Sequence, residues 1–324
     1  MNACGLRVTR RCYSEAPLGC IAAAAPPRRI CAARPVSNAT STLPPSAQSL
    51  PLQRLSDALA APLEAARIGA LIGAADVETV MRTGSTSTDL LGRVRARQPA
   101  RAILRATVEQ TAGRGRHGRA WHTEAGSALL FSLAIPFVGA RAMDGAVSLA
   151  CGLAVAEALA PRVAMQLKWP NDLLFDGRKL GGVLCELALD DDGQRTVVVG
   201  IGINLSVAPA TRTAIEQPVA SLEEVIPLRE LAAQREELIG RIAAATLAIA
   251  TEFDTHGFAP LRARFLTRFA LLGREVELLE ARKPIAAGVA VDIDAAGRLL
   301  LRTDAGTRAF AGGEVSLRPA RRGG

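Results

Sequence analysis

KWPNDLLFDGRKLGGVLC, residues 168–185, decides how the rest of the chain is read. Asp176-Gly177 separates two apolar runs. Both central residues of a type I′ turn need positive φ, so this dipeptide predicts a hairpin. The outgoing strand is expected over 168–175 and the return strand over 179–189. The hairpin then carries Lys168, Asn171 and Asp172 on one strand and Lys179 on the other. The chain has 39 Lys and Arg residues, yet only three are lysines, at 168, 179 and 283. A residue type avoided elsewhere and used twice in one hairpin points to chemistry at Lys168 and Lys179. An ordinary hairpin with solvated charges is the alternative that the stretch alone leaves open.

At 324 residues the length suits about two domains. Hydrophobic residues make up 49% and charged residues 22%, as in a soluble globular protein with a sizeable core. No apolar run approaches a membrane span. The net charge of +8 is uneven: six Arg and one Glu give residues 1–50 a charge of +5, leaving +3 for the rest. The body therefore lacks the basic footprint of a DNA-binding protein. Four of the six cysteines fall within the first 31 residues, and no pair has zinc-ligand spacing. Cys151 and Cys185 read as buried thiols. A reducing, cytoplasmic setting without a structural metal is expected.

Residues 1–50 are rich in Ala, Pro, Arg and Ser and read as a disordered extension. They look either like a transit peptide or like residues added by an upstream start. One or two short helices are expected over 51–74 and a strand over 77–81. Gly84-Ser85-Thr86-Ser87-Thr88-Asp89 then reads as a helix start, since hydroxyl side chains cap exposed backbone N–H groups. A strand over 102–109 runs into Gln110 and the loop 113–121, GRGRHGRAW. Its glycines let the backbone wrap a ligand as an anion-binding nest, and its arginines are permanent cations suited to phosphate or carboxylate. A solvated basic loop or an RNA-contacting segment is the competing reading. The GK[ST] ending of a Walker loop is missing, and a strand (128–136) rather than a helix follows. A buried helix is expected over 142–161. Residues 195–205 read as a buried strand whose Gly200 and Gly202 mark a close ligand approach. Asn204 ends it, either facing a ligand or serving the turn.

Helices are expected over 228–253 and 260–269, with Glu230, Arg235, Glu236 and Arg241 facing solvent. From Gly273 the period changes to two. Five short strands (275–279, 287–293, 299–302, 308–310 and 315–317) suggest a small barrel. The boundaries expected are thus 1–50, a first domain over 51–271 and a second domain over 272–324.

Taken together, GSTSTDLL (84–91), Gln110 with GRGRHGRAW, KWPNDLLFDGRKLGGVLCEL (168–187), GIGIN (200–204) and GGEVSL (312–317) resemble biotin–protein ligases. The Gly-Arg loop with KWPND and RKLGG separates this family from the related lipoate ligases and octanoyltransferases. The resemblance spans about 76–319. It implies an α+β fold: a class II aminoacyl-tRNA-synthetase-like catalytic domain followed by an SH3-like β-barrel. It further implies an ATP-dependent biotin–[acetyl-CoA-carboxylase] ligase. Such an enzyme makes biotinyl-5′-AMP from biotin and ATP with Mg²⁺, then biotinylates a lysine of a biotin carboxyl carrier protein.

The resemblance assigns Arg114, Gly115 and Arg116 to biotin and the phosphates, and Lys179 to the biotin carboxylate and the α-phosphate. Ser85, Thr86 and Gln110 line the biotin pocket. Arg119 and Trp121 enclose the nucleotide, and Asn171 and Asn204 face the adenylate. Asp172 either orients a lysine or holds Mg²⁺. Two departures stand out. Ser87 replaces a usual Asn and is left with a capping role, and His117 replaces a usual Arg or Lys and should face solvent. Residues 51–76 have room for only one or two helices of about 11–12 residues. The expected form therefore lacks the DNA-binding domain of some relatives and works as a monomer or homodimer, with neither DNA nor membrane as partner. The competing functions are a biotin-responsive transcriptional regulator and a ligase for lipoate or another acyl acid.

Overall fold

The turn forms where the sequence places it: φ is 49° at Asp176 and 69° at Gly177. In the computed structural model, which describes residues 52–73, 75–139, 145–214, 217–280, 283–311 and 315–319, that turn joins two strands of a large sheet. The elements are, in chain order, α1 (Leu52–Leu59), α2 (Ala65–Gly69), β1 (Ala75–Thr83), α3 (Thr86–Ala96), β2 (Ala102–Gln110), β3 (Ala128–Phe137) and α4 (Ala146–Leu159). Then follow β4 (Gln166–Lys168), β5 (Asp172–Phe175), β6 (Arg178–Leu189), β7 (Arg195–Asn204), α5 (Pro209–Ala214), α6 (Leu228–His256) and α7 (Ala259–Leu266). The last strands are β8 (Glu275–Glu280), β9 (Lys283–Ile293), β10 (Leu299–Thr303), β11 (Gly306–Phe310) and β12 (Val315–Pro319). The extension expected over 1–50 lies outside the described residues, as do residues 312–314 of GGEVSL.

The seven-stranded sheet has the order β1-β2-β3-β7-β6-β5-β4. β1 and β2 are parallel, with α3 as their connection, and the other neighbours are antiparallel. A separate antiparallel sheet has the order β11-β10-β9-β8-β12. The architecture is α+β.

β7 is central and covered on both faces, which is why it reads as a nearly continuous apolar run rather than an alternation. Val197, Val199, Ile201 and Ile203 belong to the main apolar cluster with α4 and α6. Val198 points the other way, into a smaller cluster with Leu90, Leu91 and Val94 of α3. Gly200 and Gly202 share the parity of Val198, so they lie on the α3 face. Ser132 of β3 and Gly182 and Glu186 of β6 share it too. α3 covers one end of this face, and the other end carries the candidate site.

The structure corrects three sequence expectations. The outgoing strand over 168–175 is broken: β4 stops at Lys168, Trp169-Pro170-Asn171 forms a corner with a cis Trp169–Pro170 bond, and β5 pairs back on β4. Trp169 drives this, because its ring is buried and its Nε1–H donates to Gly297 O at 3.1 Å. A large amphipathic side chain placed this way needs both an apolar bed and an acceptor. Arg235 and Glu236 are buried rather than solvent-facing. Arg235 donates to Leu59 O and Ala61 O, and Glu236 pairs with Arg67 at 3.3 Å, so the two charges fasten α1 and α2 to α6. Helix α5 has no counterpart in the sequence reading.

Candidate active site

The N-terminus of α3 builds one wall. Ser85 is its N-cap, its Oγ accepting from Thr88 N–H at 3.4 Å. Thr86 donates through its N–H (2.8 Å) and its hydroxyl (3.1 Å) to Gln110 Oε1, and its Oγ1 lies 2.7 Å from Ser132 Oγ. Ser87, expected to cap the helix, is instead within its first turn, with Oγ 2.9 Å from Ser132 Oγ. Ser132 was missed by the sequence reading. Its only signal is one hydroxyl inside the apolar strand ALLFSLAIPF, on the face where β7 carries glycines.

The Gly-Arg loop is an ordered excursion rather than a free coil. Thr111 and Ala112 N–H groups extend the sheet to Thr83 O and Gly84 O, each at 2.9 Å. The arms pair at Arg114–Ala120 and through Trp121 N–H to Gly113 O at 2.9 Å. A single 3₁₀ turn over 116–118 forms the tip, with His117 at φ 58°. His117 is exposed there, as expected. The Trp121 indole lies on Gly202: a Cβ added at Gly202 would meet ring carbon Cε2 at 2.9 Å. Likewise, a Cβ at Gly200 would meet Ser87 Oγ at 2.4 Å. Both glycines thus make room for the protein's own side chains, not directly for a ligand.

Charge gathers beneath the loop. Lys179 Nζ lies 2.5 Å from Asp172 Oδ1, Lys168 Nζ lies 3.8 Å from Asp172 Oδ2, and Lys179 Nζ is 5.7 Å from the Trp121 ring centre. Burial pushes the half-buried Arg116 guanidinium below its ordinary value, Asp172 nearby pulls it back up, and Arg119 adds to the lowering. Asp172 and Arg119 thus both lie within electrostatic reach of Arg116. Arg114 points elsewhere: Nη2 donates to Glu186 Oε1 at 2.6 Å and Nη1 to Thr88 Oγ1 at 3.3 Å. Gly115 N–H donates to Arg119 O at 2.8 Å inside the loop.

The two asparagines are engaged with backbone. Asn171 donates from Nδ2 to Val183 O at 2.9 Å, and Asn204 from Nδ2 to Ala220 O at 3.0 Å. The second bond fastens a strap over 218–221. That strap also accepts Lys179 N–H on Pro218 O and gives Ala220 N–H to Lys179 O, both at 2.9 Å. Glu224 holds the strap's far end through Arg178 at 2.6 Å and Arg212 at 3.4 Å.

A cleft of about 300 Å³ opens beside the loop, lined by Gln110, Gly113, Trp121, Glu124 and Thr211. That volume is at the lower end for a small-molecule site. A larger hollow of about 540 Å³ lies along β5, lined by Met165, Phe175 and Arg268, but contains none of the lysine cluster. Among the described residues no three His, Cys, Asp or Glu side chains converge as metal ligands. A single carboxylate already flanked by two lysines does not fit a resident Mg²⁺ site.

The hydroxyl wall, the Gly-Arg loop and the lysine hairpin lie on one sheet face. Residues 80–204 match the model of the biotin/lipoate A/B protein ligase family, and 271–318 match the biotin protein ligase C-terminal domain. The biotin–[acetyl-CoA-carboxylase] ligase of Mycobacterium tuberculosis is 36% identical over 261 residues, 76% of this chain and 91% of that one. The chain belongs to the biotin protein ligase family. The family member from Paracoccus denitrificans, with the same enzyme name, is 33% identical over 72% of this chain and 97% of its own. Among solved structures, the Aquifex aeolicus biotin protein ligase in complex with biotin and ATP superposes with a TM-score of 0.58. It is 26% identical, over 76% of this chain and 99% of that one. Within the described residues, no helix of this member is long and apolar enough to cross a membrane.

Proposed function

We propose that this chain is an ATP-dependent biotin–carrier protein ligase. The observation that carries this reading is the convergence of Lys179 and Lys168 on Asp172 beneath the Gly-Arg loop, in a chain with relatives of that activity. Joining biotin to ATP brings two anions together and builds further negative charge at the α-phosphate. Preorganised cations are the main resource for such a step. A biotin carboxylate oxygen attacks the α-phosphorus, the bond to the β-phosphate oxygen breaks, and pyrophosphate leaves. Lys179 and Arg116 stabilise the developing charge. A lysine amine of the carrier then attacks the acyl carbon, AMP leaves, and the nitrogen loses its proton.

The hydroxyls of Ser85 and Thr86 and the amide of Gln110 are suited to the ureido ring, with Ser132 holding Thr86 in place. Trp121 and Arg119 cover the nucleotide and exclude water from the anhydride. Asn171 and Asn204 act mainly by shaping the corner before β5 and the strap against Lys179. Asp172 orients Lys179, and Mg²⁺ enters with ATP rather than as a resident ion. We read the seven-stranded sheet with its helices as a class II aminoacyl-tRNA-synthetase-like catalytic domain over 51–271. The five-stranded sheet is read as an SH3-like domain over 272–324. The carrier is a biotin carboxyl carrier protein of acetyl-CoA carboxylase or a similar carboxylase, and the setting is cytoplasmic. The free thiols of Cys151 and Cys185 are in keeping with that setting.

The test is pyrophosphate release with ATP plus biotin or lipoate, followed by mass spectrometry of a carrier domain. Release with lipoate but none with biotin would overturn the substrate assignment, and an unmodified carrier would overturn the transfer.

A further inference from the structure

Glu186 is not among the residues that the family resemblance assigns, yet it holds the loop's first arginine. Arg114 leaves the outgoing arm of the Gly-Arg loop and reaches two other elements: β6 through Glu186 Oε1 (2.6 Å) and the first turn of α3 through Thr88 Oγ1 (3.3 Å). The return arm is fastened separately by Trp121 on Gly202. Glu186 lies on the site face of β6, and its second oxygen is buried with no hydrogen-bond partner among the described residues. Arg114 is the cation that the structure pairs with it. We propose that Glu186 is a positioning residue: through Arg114 it anchors the Gly-Arg loop closed over the site. Arg114 is then a tether, and Arg116 is the loop arginine that supplies charge to the reaction.

The inference rests on the ligase reading, and the two fail differently. An anchor biases the loop between open and closed. Ligand affinity falls by the fraction of closed loop lost, while the rate at saturation persists. A partly exposed pair of this kind is worth about fivefold in that equilibrium.

The experiment measures biotin-dependent ATP–pyrophosphate exchange in the full chain. Glu186→Gln and Arg114→Gln should each raise the KM for biotin about fivefold and leave kcat within about twofold, the double variant being no worse than either. The reversed pair, Arg114→Glu with Glu186→Arg, should recover most of the loss. Trp121 fluorescence in Glu186→Gln should shift to the red without ligand and return with biotin and ATP; Trp169, being buried, gives a constant background. A large kcat loss in Arg114→Gln with Glu186→Gln unchanged would overturn the anchor and return Arg114 to the phosphates. So would failure of the reversed pair to recover. If either single variant does not fold, Thr88→Ala loosens the same anchor and must raise KM in the same direction; an unchanged KM refutes the proposal. Absence of exchange in the wild type would instead sink the ligase reading itself.

Discussion

Lys179 and Asp172 face each other across the β5–β6 hairpin, with Nζ 2.5 Å from Oδ1. The cation proposed for catalysis is thus held by a carboxylate of the protein itself. Lys168, at 3.8 Å, shares the other oxygen. Removing Asp172 deletes negative charge from a site that binds a polyanion, so ATP should bind no more weakly. Asp172→Asn is expected to lower kcat about tenfold, the cost of misplacing a charge that acts in the transition state, without raising the KM for ATP. A clear rise in that KM would instead mean that Asp172 carries Mg²⁺ with the nucleotide.

Lys179→Ala and Arg116→Ala should each slow biotin-dependent pyrophosphate exchange by about 10²–10³-fold, the usual cost of one preorganised charge donor. Circular dichroism should show the fold retained. Near-wild-type exchange in both variants would refute the assigned roles.

Gly200 is a packing requirement set by Ser87. A Cβ there would lie 2.4 Å from Ser87 Oγ, beside its bond to Ser132. Gly200→Ala should destabilise by about 1–3 kcal/mol, as overpacking does, and Ser87→Gly in the same chain should recover part of it. Urea denaturation checks both; unchanged stability in Gly200→Ala would contradict the close approach.

Acid should loosen the strap that borders Lys179. Burial pushes the Glu224 carboxyl up, but bonds from Arg178, Ser221 and Arg212 outweigh it and hold the group below its ordinary 4.5. A carboxyl lowered in the folded state adds stability that is fully present above 4.5 and is lost as pH falls through the folded value. Glu78, held down chiefly by Arg93, works in the same direction. The melting temperature should therefore fall below pH 4.5, and Glu224→Gln should start lower at neutral pH and fall less steeply. Parallel curves for the two proteins would count against the clamp.

Much of this site could be read from local chemistry. The Asp-Gly turn, the capping of α3 by Ser85 and the strand run into the Gly-Arg loop each depend on neighbours a few residues away. What escaped the sequence depends on distant partners. Trp169 breaks the outgoing strand because its acceptor is Gly297, 128 positions on. Arg235 and Glu236 look solvated until α1 and α2 pack over them. Ser132 carries no signal until Thr86 and Ser87 face it, and Gly200 and Gly202 invite a ligand only while Ser87 and Trp121 are out of view. The nitrogens of Asn171 and Asn204 turn to carbonyls of Val183 and Ala220, which spacing alone does not reveal.

A mixed anhydride acylates whichever amine it meets, and this chain offers few. Of its three lysines, Lys168 and Lys179 flank Asp172 in the site, leaving Lys283 on the surface. Arginine, which supplies the remaining cations, stays protonated and does not compete as a nucleophile. An intermediate that escaped before transfer would therefore find the amines of surrounding proteins more readily than those of its maker. The choice of cation leaves the enzyme poorly labelled by its own product.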